Sequence, residues 1–495
     1  MSRLVIVSNR VSVPSGKGIV KAGGLAVALK EALEARGGLW FGWSGEVADG
    51  PLPLPHKVSR GGITYVTTDL SRQDFEEFYN GFSNSTLWPL FHYRLGLVEV
   101  SRRSYQGYLR VNAAFATTLA PMIEPDDTIW VHDYHLLPLG EELRKRGIAN
   151  RMGFFLHTPF PVPEIMLALP GHHRLMQALC SYDLVGFQTE DDVRAFLDYL
   201  SGESDGEVGL GGHFGAFGRQ SVAAAYPIGI DAAAFAAAAV TAATRSESRR
   251  LSESLRGRKL VIGADRLDYS KGLLERFEAI ERLLEQHPKL KAKFEFLQVA
   301  APSREEVARY RALKRQLESA AGRINGRFAE FDWQPIRYLN RSLDRATLAG
   351  FYRQASVGLV TPLRDGMNLV AKEYVAAQDP ENPGVLVLSR FAGAARELIT
   401  AVIVNPYDLD EVADGLARAL AMPLDERRRR WRAMMDVVER NTVEVWRDTF
   451  LADLAEAAEV EEEVELLSGE GAAYCPLPAV VQPVSATRLR HTSPR

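Results

Sequence analysis

Residues 361–377 read TPLRDGMNLVAKEYVAA, and the fold class follows from this stretch and the run before it. Ser356–Val360, SVGLV, is short and apolar, the pattern of a strand buried on both faces of a parallel sheet. Pro362 ends it, Arg364-Asp365-Gly366 turns the chain, and Asn368 is placed to cap a helix beginning near Leu369. In open α/β sheets ligands collect where strands end and helices begin. The first amides of a helix lack intrahelical acceptors and its dipole is positive there, so an anion is welcome. Glu373 follows about one turn into the helix, where an acid beside a phosphate suits the hydroxyls of a ribose. Asp365 sits on the turn itself. Taken alone, the two acids read equally well as a turn aspartate and a solvated helix glutamate.

The same strand-to-helix alternation extends to both sides. Leu260–Gly263 and Phe294–Val299 are expected strands upstream, Val385–Leu388 and Val402–Val404 downstream. Arg266 and Lys271 flank the turn after the first of these, so a guanidinium and an ammonium can clamp one diphosphate; two solvated surface cations are the plainer alternative. An earlier set of strands, Leu4–Ser8, Thr128–Val131, Met152–Leu156, Leu184–Phe187 and Val222–Tyr226, ends in Asn9-Arg10, His132-Asp133-Tyr134-His135, His157-Thr158, Gln188-Thr189-Glu190 and Asp231. Polar groups deposited at successive strand ends are how α/β loops build a site. Gly23-Gly24, between a strand and a helical pattern, lets backbone approach a phosphate or sugar, though it is no dinucleotide fingerprint. Trp40 to Arg110 is rich in aromatics that suit sugar rings but are more often core.

Residues 201–220 are glycine-rich and read as a loose excursion. Composition changes after Asp231, which puts a domain boundary near residue 235. The expected architecture is α/β: two Rossmann-like domains, 1–235 and 236–440, facing a central cleft. A C-terminal helix, 441–458, would pack back on the first domain, and the acidic stretch and tail, 459–495, would be disordered. A helical region from Asp408 to Asn441 includes a basic run, Arg427–Arg430, expected to be solvated.

At 495 residues the chain exceeds one ordinary core, and its 46% hydrophobic and 25% charged content is that of a globular protein. The net charge of -4 argues against a nucleic-acid partner. Cys180 and Cys475 form no framework or zinc motif, and His132, Asp133 and His135 would alternate faces if extended, so no metal is expected. The N-terminus enters a strand without a secretory pattern and no run of about 18 apolar residues exists, so no membrane association and a cytoplasmic location are expected.

The segments AGGLAVAL, GGLWFGWSGE, FSNSTLWPLFHYR, WVHDYHLLPL, GFFLHTPFPVPEI, YPIGID, DRLDYSKGL, AGRINGRF and TPLRDGMNLVAKEYVAAQ occur in this order. Together they closely resemble the trehalose-6-phosphate synthase family, retaining glycosyltransferases of GT-B fold, from the N-terminus to about residue 455. The resemblance implies transfer of glucose from UDP-glucose to glucose 6-phosphate, with no cofactor beyond the co-substrate UDP-glucose. It implies that Arg266 and Lys271 hold the donor diphosphate, assisted by the amides of Leu369 and Val370, with Ala371 and Lys372 continuing that helix start and Glu373 on the ribose. Gly23 and Gly24 would lie against the donor, and Asp365 and His157 would grip hydroxyls of its glucose. Arg10, Tyr79 and Arg304 would hold the acceptor phosphate, Asp133 its sugar hydroxyls, and Trp88 would shape its pocket. Leu343 stands where the best-known bacterial pattern has a phenylalanine beside the uridine, which leaves UDP against ADP or GDP open. With no phosphatase domain following, the product would stay phosphorylated. A related enzyme with another donor or phosphorylated acceptor, or a silent regulatory subunit, are the alternatives. Loss of the clamp cations would mark the latter, and both are present. These motifs do not say whether the chain works as a monomer or a homo-oligomer.

Overall fold

The computed structural model describes residues 3–11, 13, 29, 33, 37–50, 54–304 and 306–468, with side chains to residue 457. Gly23 and Gly24, and the tail beyond Ser468, lie outside the described residues.

Two sheets carry the chain. The first contains β1 (Leu4–Arg10), β2 (Gly38–Ala48), β3 (His56–Arg60), β4 (Ile63–Ser71), β5 (Thr128–His132), β6 (Met152–Phe155), β7 (Leu184–Phe187), β8 (Glu207–Val208), β9 (His213–Ala216) and β10 (Arg219–Ala225). Their order is β3-β4-β2-β1-β5-β6-β7-β10-β9-β8. β1 is central and parallel to both neighbours, with Leu4 opposite Gly38 on one side and Thr128 on the other. Its first five residues are buried, and the chain reaches the surface only at Asn9 and Arg10, the C-terminal edge. The second sheet, β11 (Lys259–Arg266), β12 (Phe294–Ala301), β13 (Ile336–Leu339), β14 (Val357–Val360), β15 (Val385–Ser389) and β16 (Val402–Val404), is parallel throughout in the order β13-β12-β11-β14-β15-β16. The short strands β7 and β14, all apolar, and β15, apolar but for Ser389, are buried at every residue, as strands covered on both faces must be.

The chain passes to the second sheet through Pro227–Ile230. Asp231 caps the helix Ala232–Ala243 by accepting from the Ala234 amide at 2.8 Å. That helix packs on the second domain, with Phe235 stacked 6.5 Å from Tyr352. The chain returns at Asn441. A Cβ on Gly229 would lie 1.9 Å from the Asn441 carbonyl oxygen, so the two crossings touch backbone to backbone where no side chain fits. The helix Val443–Ser468 then lies against the first sheet and runs past the expected end at residue 458. Phe450 stacks on Trp130 at 4.7 Å, and Tyr226 donates to Asp453 at 2.8 Å.

Two expectations are corrected here, and one reading is settled. Residues 201–220 are not loose: β8, β9 and β10 form antiparallel pairs on the sheet edge, and Gly211, Gly212 and Gly218 supply the positive φ of their turns. Trp40, Phe41 and Trp43, no more than 3% exposed, are core residues of β2, the more common role of such aromatics. The basic run is engaged: Arg427 donates to the Pro383 carbonyl at 2.6 Å, Arg428 pairs with Glu381, and Arg430 with Glu426.

Candidate active site

The C-terminal ends of β11 and β14 form one wall of the cleft. After Arg266 the chain makes a tight turn, Tyr269–Lys271, capped by Asp268, which accepts from the Ser270 amide at 3.0 Å and its hydroxyl at 2.9 Å. The turn points the Lys271 ammonium at Asp365, and the two form an ion pair. Beneath it the fully buried Arg276 donates to the Lys271 carbonyl at 3.1 Å, to Thr361 at 3.0 Å and to Asp265 at 2.5 Å, tying the turn to the ends of β11 and β14.

Asn368 does not cap the following helix. Its backbone is left-handed (φ 73°), which turns its side chain back, and Nδ2 donates to Asp365 Oδ2 at 2.9 Å. The helix Leu369–Ala377 therefore opens with side-chain-uncapped amides directed at the cleft edge. Leu369, Val370 and Leu343 are half-buried, Ala371 is buried, and Glu373 has Arg345 3.6 Å away. Lys372 offers the cleft no side chain. Its ammonium is fully buried, 2.6 Å from Glu397 and donating to the Ile228 carbonyl at 2.8 Å, so it joins this helix to the domain crossing.

The facing wall comes from the first domain. Arg10 lies 5.7 Å from the centre of the Trp43 ring and Tyr79 packs on the same ring at 5.1 Å, making a continuous strip at the end of β1 and β2. Two guanidinium groups lie against the Trp88 ring, Arg304 4.4 Å and Arg266 5.5 Å from its centre, and its Nε1 donates to Asp268 at 3.3 Å. Arg304, with φ 48°, also donates to the hydroxyls of Tyr310 at 2.5 Å and Tyr134 at 3.2 Å.

The walls meet at Gly366. A Cβ there would lie 2.0 Å from the His157 carbonyl oxygen, so only glycine lets this turn rest on the end of β6. Beside it, Asp133 adopts φ 78° and accepts from the His157 amide at 3.3 Å, and the His157 ring lies 3.2 Å from His132.

The glycosyltransferase family 20 model matches residues 3–456. The chain belongs to this family. It is 53% identical to the trehalose-6-phosphate synthase of Sinorhizobium fredii over 462 residues, 93% of this chain and 99% of that one. Its structure is similar to that of an alpha,alpha-trehalose-phosphate synthase (UDP-forming) from Burkholderia xenovorans in complex with glucose-6-phosphate, with a TM-score of 0.89, 53% identity, and coverage of 92% of this chain and 100% of that one. A similar E. coli structure is described as bound with UDP-2-fluoro glucose, with a TM-score of 0.87, 52% identity, and coverage of 92% and 99%. The two facing parallel-sheet domains are thus the GT-B fold of glycosyltransferase family 20.

The electrostatics of this family 20 cleft are uneven. Burial pushes Glu373 up to about 7, only partly offset by Arg345. Burial likewise raises Asp133 to about 6, against hydrogen bonds from the Tyr134 and His157 amides and the charges of Arg266 and Arg304. Asp268 is buried too, yet Arg304 and Arg266 outweigh the burial and hold it below the usual carboxylate range. Buried beside His132, His157 falls to about 3 and stays neutral. Among the described residues no group of three or more His, Cys, Asp or Glu side chains is arranged to hold a metal, and no helix is long and apolar enough to cross a membrane. Asp268, Tyr310 and Arg276 were not singled out in the sequence. Asp268 had a usable signal, an acid two residues beyond a clamp arginine; the others are made functional neighbours only by the fold.

Proposed function

We propose that this chain is a retaining glucosyltransferase that moves glucose from UDP-glucose to glucose 6-phosphate, giving α,α-trehalose 6-phosphate and UDP. The observation that carries this reading is the Arg266–Trp88–Arg304 stack, which sets two guanidinium groups on one indole. Two anions are thereby received side by side, the donor diphosphate at Arg266 and Lys271 and the acceptor phosphate at Arg304, Arg10 and Tyr79. The named relatives, one with glucose-6-phosphate and one with UDP-2-fluoro glucose, support that pairing of ligands and the UDP donor. The amides of Leu369 and Val370 would add to the diphosphate site, with Ala371 and Leu343 packing beside the nucleotide and Glu373 accepting from the ribose. Gly23 and Gly24 would cover the donor from the other domain.

The chemistry follows from the charges. Asp365, held by Lys271 and Asn368, and His157 would orient the donor glucose, while Asp133 accepts from acceptor hydroxyls. As the bond from C1 to the diphosphate oxygen breaks, Arg266 and Lys271 stabilise the charge growing on the leaving group without a metal. The acceptor oxygen attacks C1 from the same face, and its proton passes to the departing phosphate. Covalent retention would need a carboxylate on the opposite face, roughly 5–5.5 Å from its partner in hydrolases, and that side is the strand end at His157. Phosphorylated substrates of this kind support a cytoplasmic location. The test is to supply purified protein with glucose 6-phosphate and UDP-, ADP- or GDP-glucose. UDP release with trehalose 6-phosphate formed supports the reading; no release with any donor from folded protein overturns it.

A further inference from the structure

His132 ends β5 and is fully buried. Its Nδ1 lies 3.2 Å from Nε2 of His157, and its other faces meet Trp130 at 4.5 Å, Trp446 at 6.3 Å and Phe155 at 6.4 Å between ring centres. Both imidazoles are held neutral by burial. In a hydrogen bond between neutral imidazoles one nitrogen must donate and the other accept, and the choice sets the tautomer of both rings.

The cage decides which. Among the described residues His132 Nε2 has no partner, nor do the indole nitrogens of Trp130 and Trp446, whose rings pack on His132. Both indoles are donors only. A proton on His132 Nε2 would add a third buried donor with nothing to receive it. A bare lone pair there adds an acceptor beside the two indole donors, a set that one buried water can bridge. We infer that His132 keeps its proton on Nδ1 and donates it to His157 Nε2, which fixes the His157 proton on Nδ1. His132 is a positioning residue. On the proposed reaction, His157 then meets the donor sugar as a hydrogen-bond donor to a hydroxyl oxygen, and not as a base. The C-terminal helix takes part by supplying Trp446, whose ring centre is 6.1 Å from that of His157.

The test reads the tautomer itself. Histidine-selective 15N labelling, with His157→Gln to assign the signal, distinguishes a pyrrole-type from a pyridine-type nitrogen in the unliganded enzyme. In the wild type His157 should show a protonated Nδ1 and a bare Nε2. His132→Asn, which keeps an N–H near the position of Nδ1, should preserve that state. His132→Leu should lose it and lower turnover about tenfold, as loss of one hydrogen bond of about 1.4 kcal/mol would. A protonated Nε2 at His157 in the wild type overturns the inference. An unchanged tautomer in His132→Leu overturns it too; if that variant does not fold, the wild-type and His132→Asn spectra still decide. Failure of glucosyl transfer with an intact His157 tautomer would count against the proposed reaction and leave this inference standing.

Discussion

Trp88 donates its indole hydrogen to Asp268 at 3.3 Å, a bond between residues 180 positions apart that ties the first domain to the Tyr269–Lys271 turn of the second. Because Asp268 also caps the Lys271 turn, the proposed acceptor pocket and the proposed donor clamp share one buried carboxylate. Trp88→Phe keeps an aromatic face for the guanidiniums but deletes that bond. The expected result is a rise in KM for glucose 6-phosphate of about fivefold to tenfold, the value of one hydrogen bond, with the donor KM rising less. Steady-state kinetics with each substrate varied checks it.

Arg266 lies over the same ring and, in the proposed reaction, faces charge that grows during bond cleavage. Arg266→Ala should lower kcat about a hundredfold or more while the acceptor KM changes little, the pattern of a group used mainly in the transition state. An unchanged kcat would reject that role.

Glu373 gives a pH dependence of opposite sign for folding and for binding. Its carboxyl titrates near 7 in the fold, above the ordinary value, so the folded state holds the extra proton between about pH 4 and 7. Its contribution to stability therefore declines as pH rises through that window. Glu373→Gln should be the more stable protein at pH 8 by about 2–3 kcal/mol, read from denaturant midpoints, and nearly equal at pH 4. Ionised Glu373 is the better acceptor for ribose hydroxyls, so UDP should bind more tightly to the wild type as pH rises through 7, and the variant should lose that increment. Calorimetric titration of both proteins separates it from the titration of UDP itself.

Lys372 and Glu397 make a buried pair at the domain crossing, with Asn441 donating to the other Glu397 oxygen at 2.6 Å. Lys372→Met strands a carboxylate and should cost about 3–5 kcal/mol. Lys372→Met with Glu397→Leu should recover most of it. Chemical denaturation of the single and double variants measures the coupling.

What could be read in advance follows the physics of each segment. All-apolar runs bounded by turn residues, such as Val357–Val360 and Leu184–Phe187, can only be buried strands, and they are. β2 was obscured because its indoles and phenyl ring look alike whether they face a sugar or a core, and burial alone separates the two. The glycines of residues 201–220 have the composition of a loose loop but serve hairpin turns. Asn368 is a capping residue by type, yet its left-handed backbone sends the amide to Asp365. Lys372 lies on the helix that carries Glu373, and only the partner Glu397, brought close by the fold, shows which way it turns. The His132–His157 pair was visible as two strand ends; their tautomers depend on a cage completed by Trp446 from the far end of the chain.

The contact of Gly229 with the Asn441 carbonyl has a mechanical meaning. Two covalent spans, packed backbone to backbone at this point, join the domains as a strut rather than a single tether. A protease nick in either span would leave the halves in register, held by the other span and by the C-terminal helix clasped to the first sheet. The fold is in this sense double-stitched.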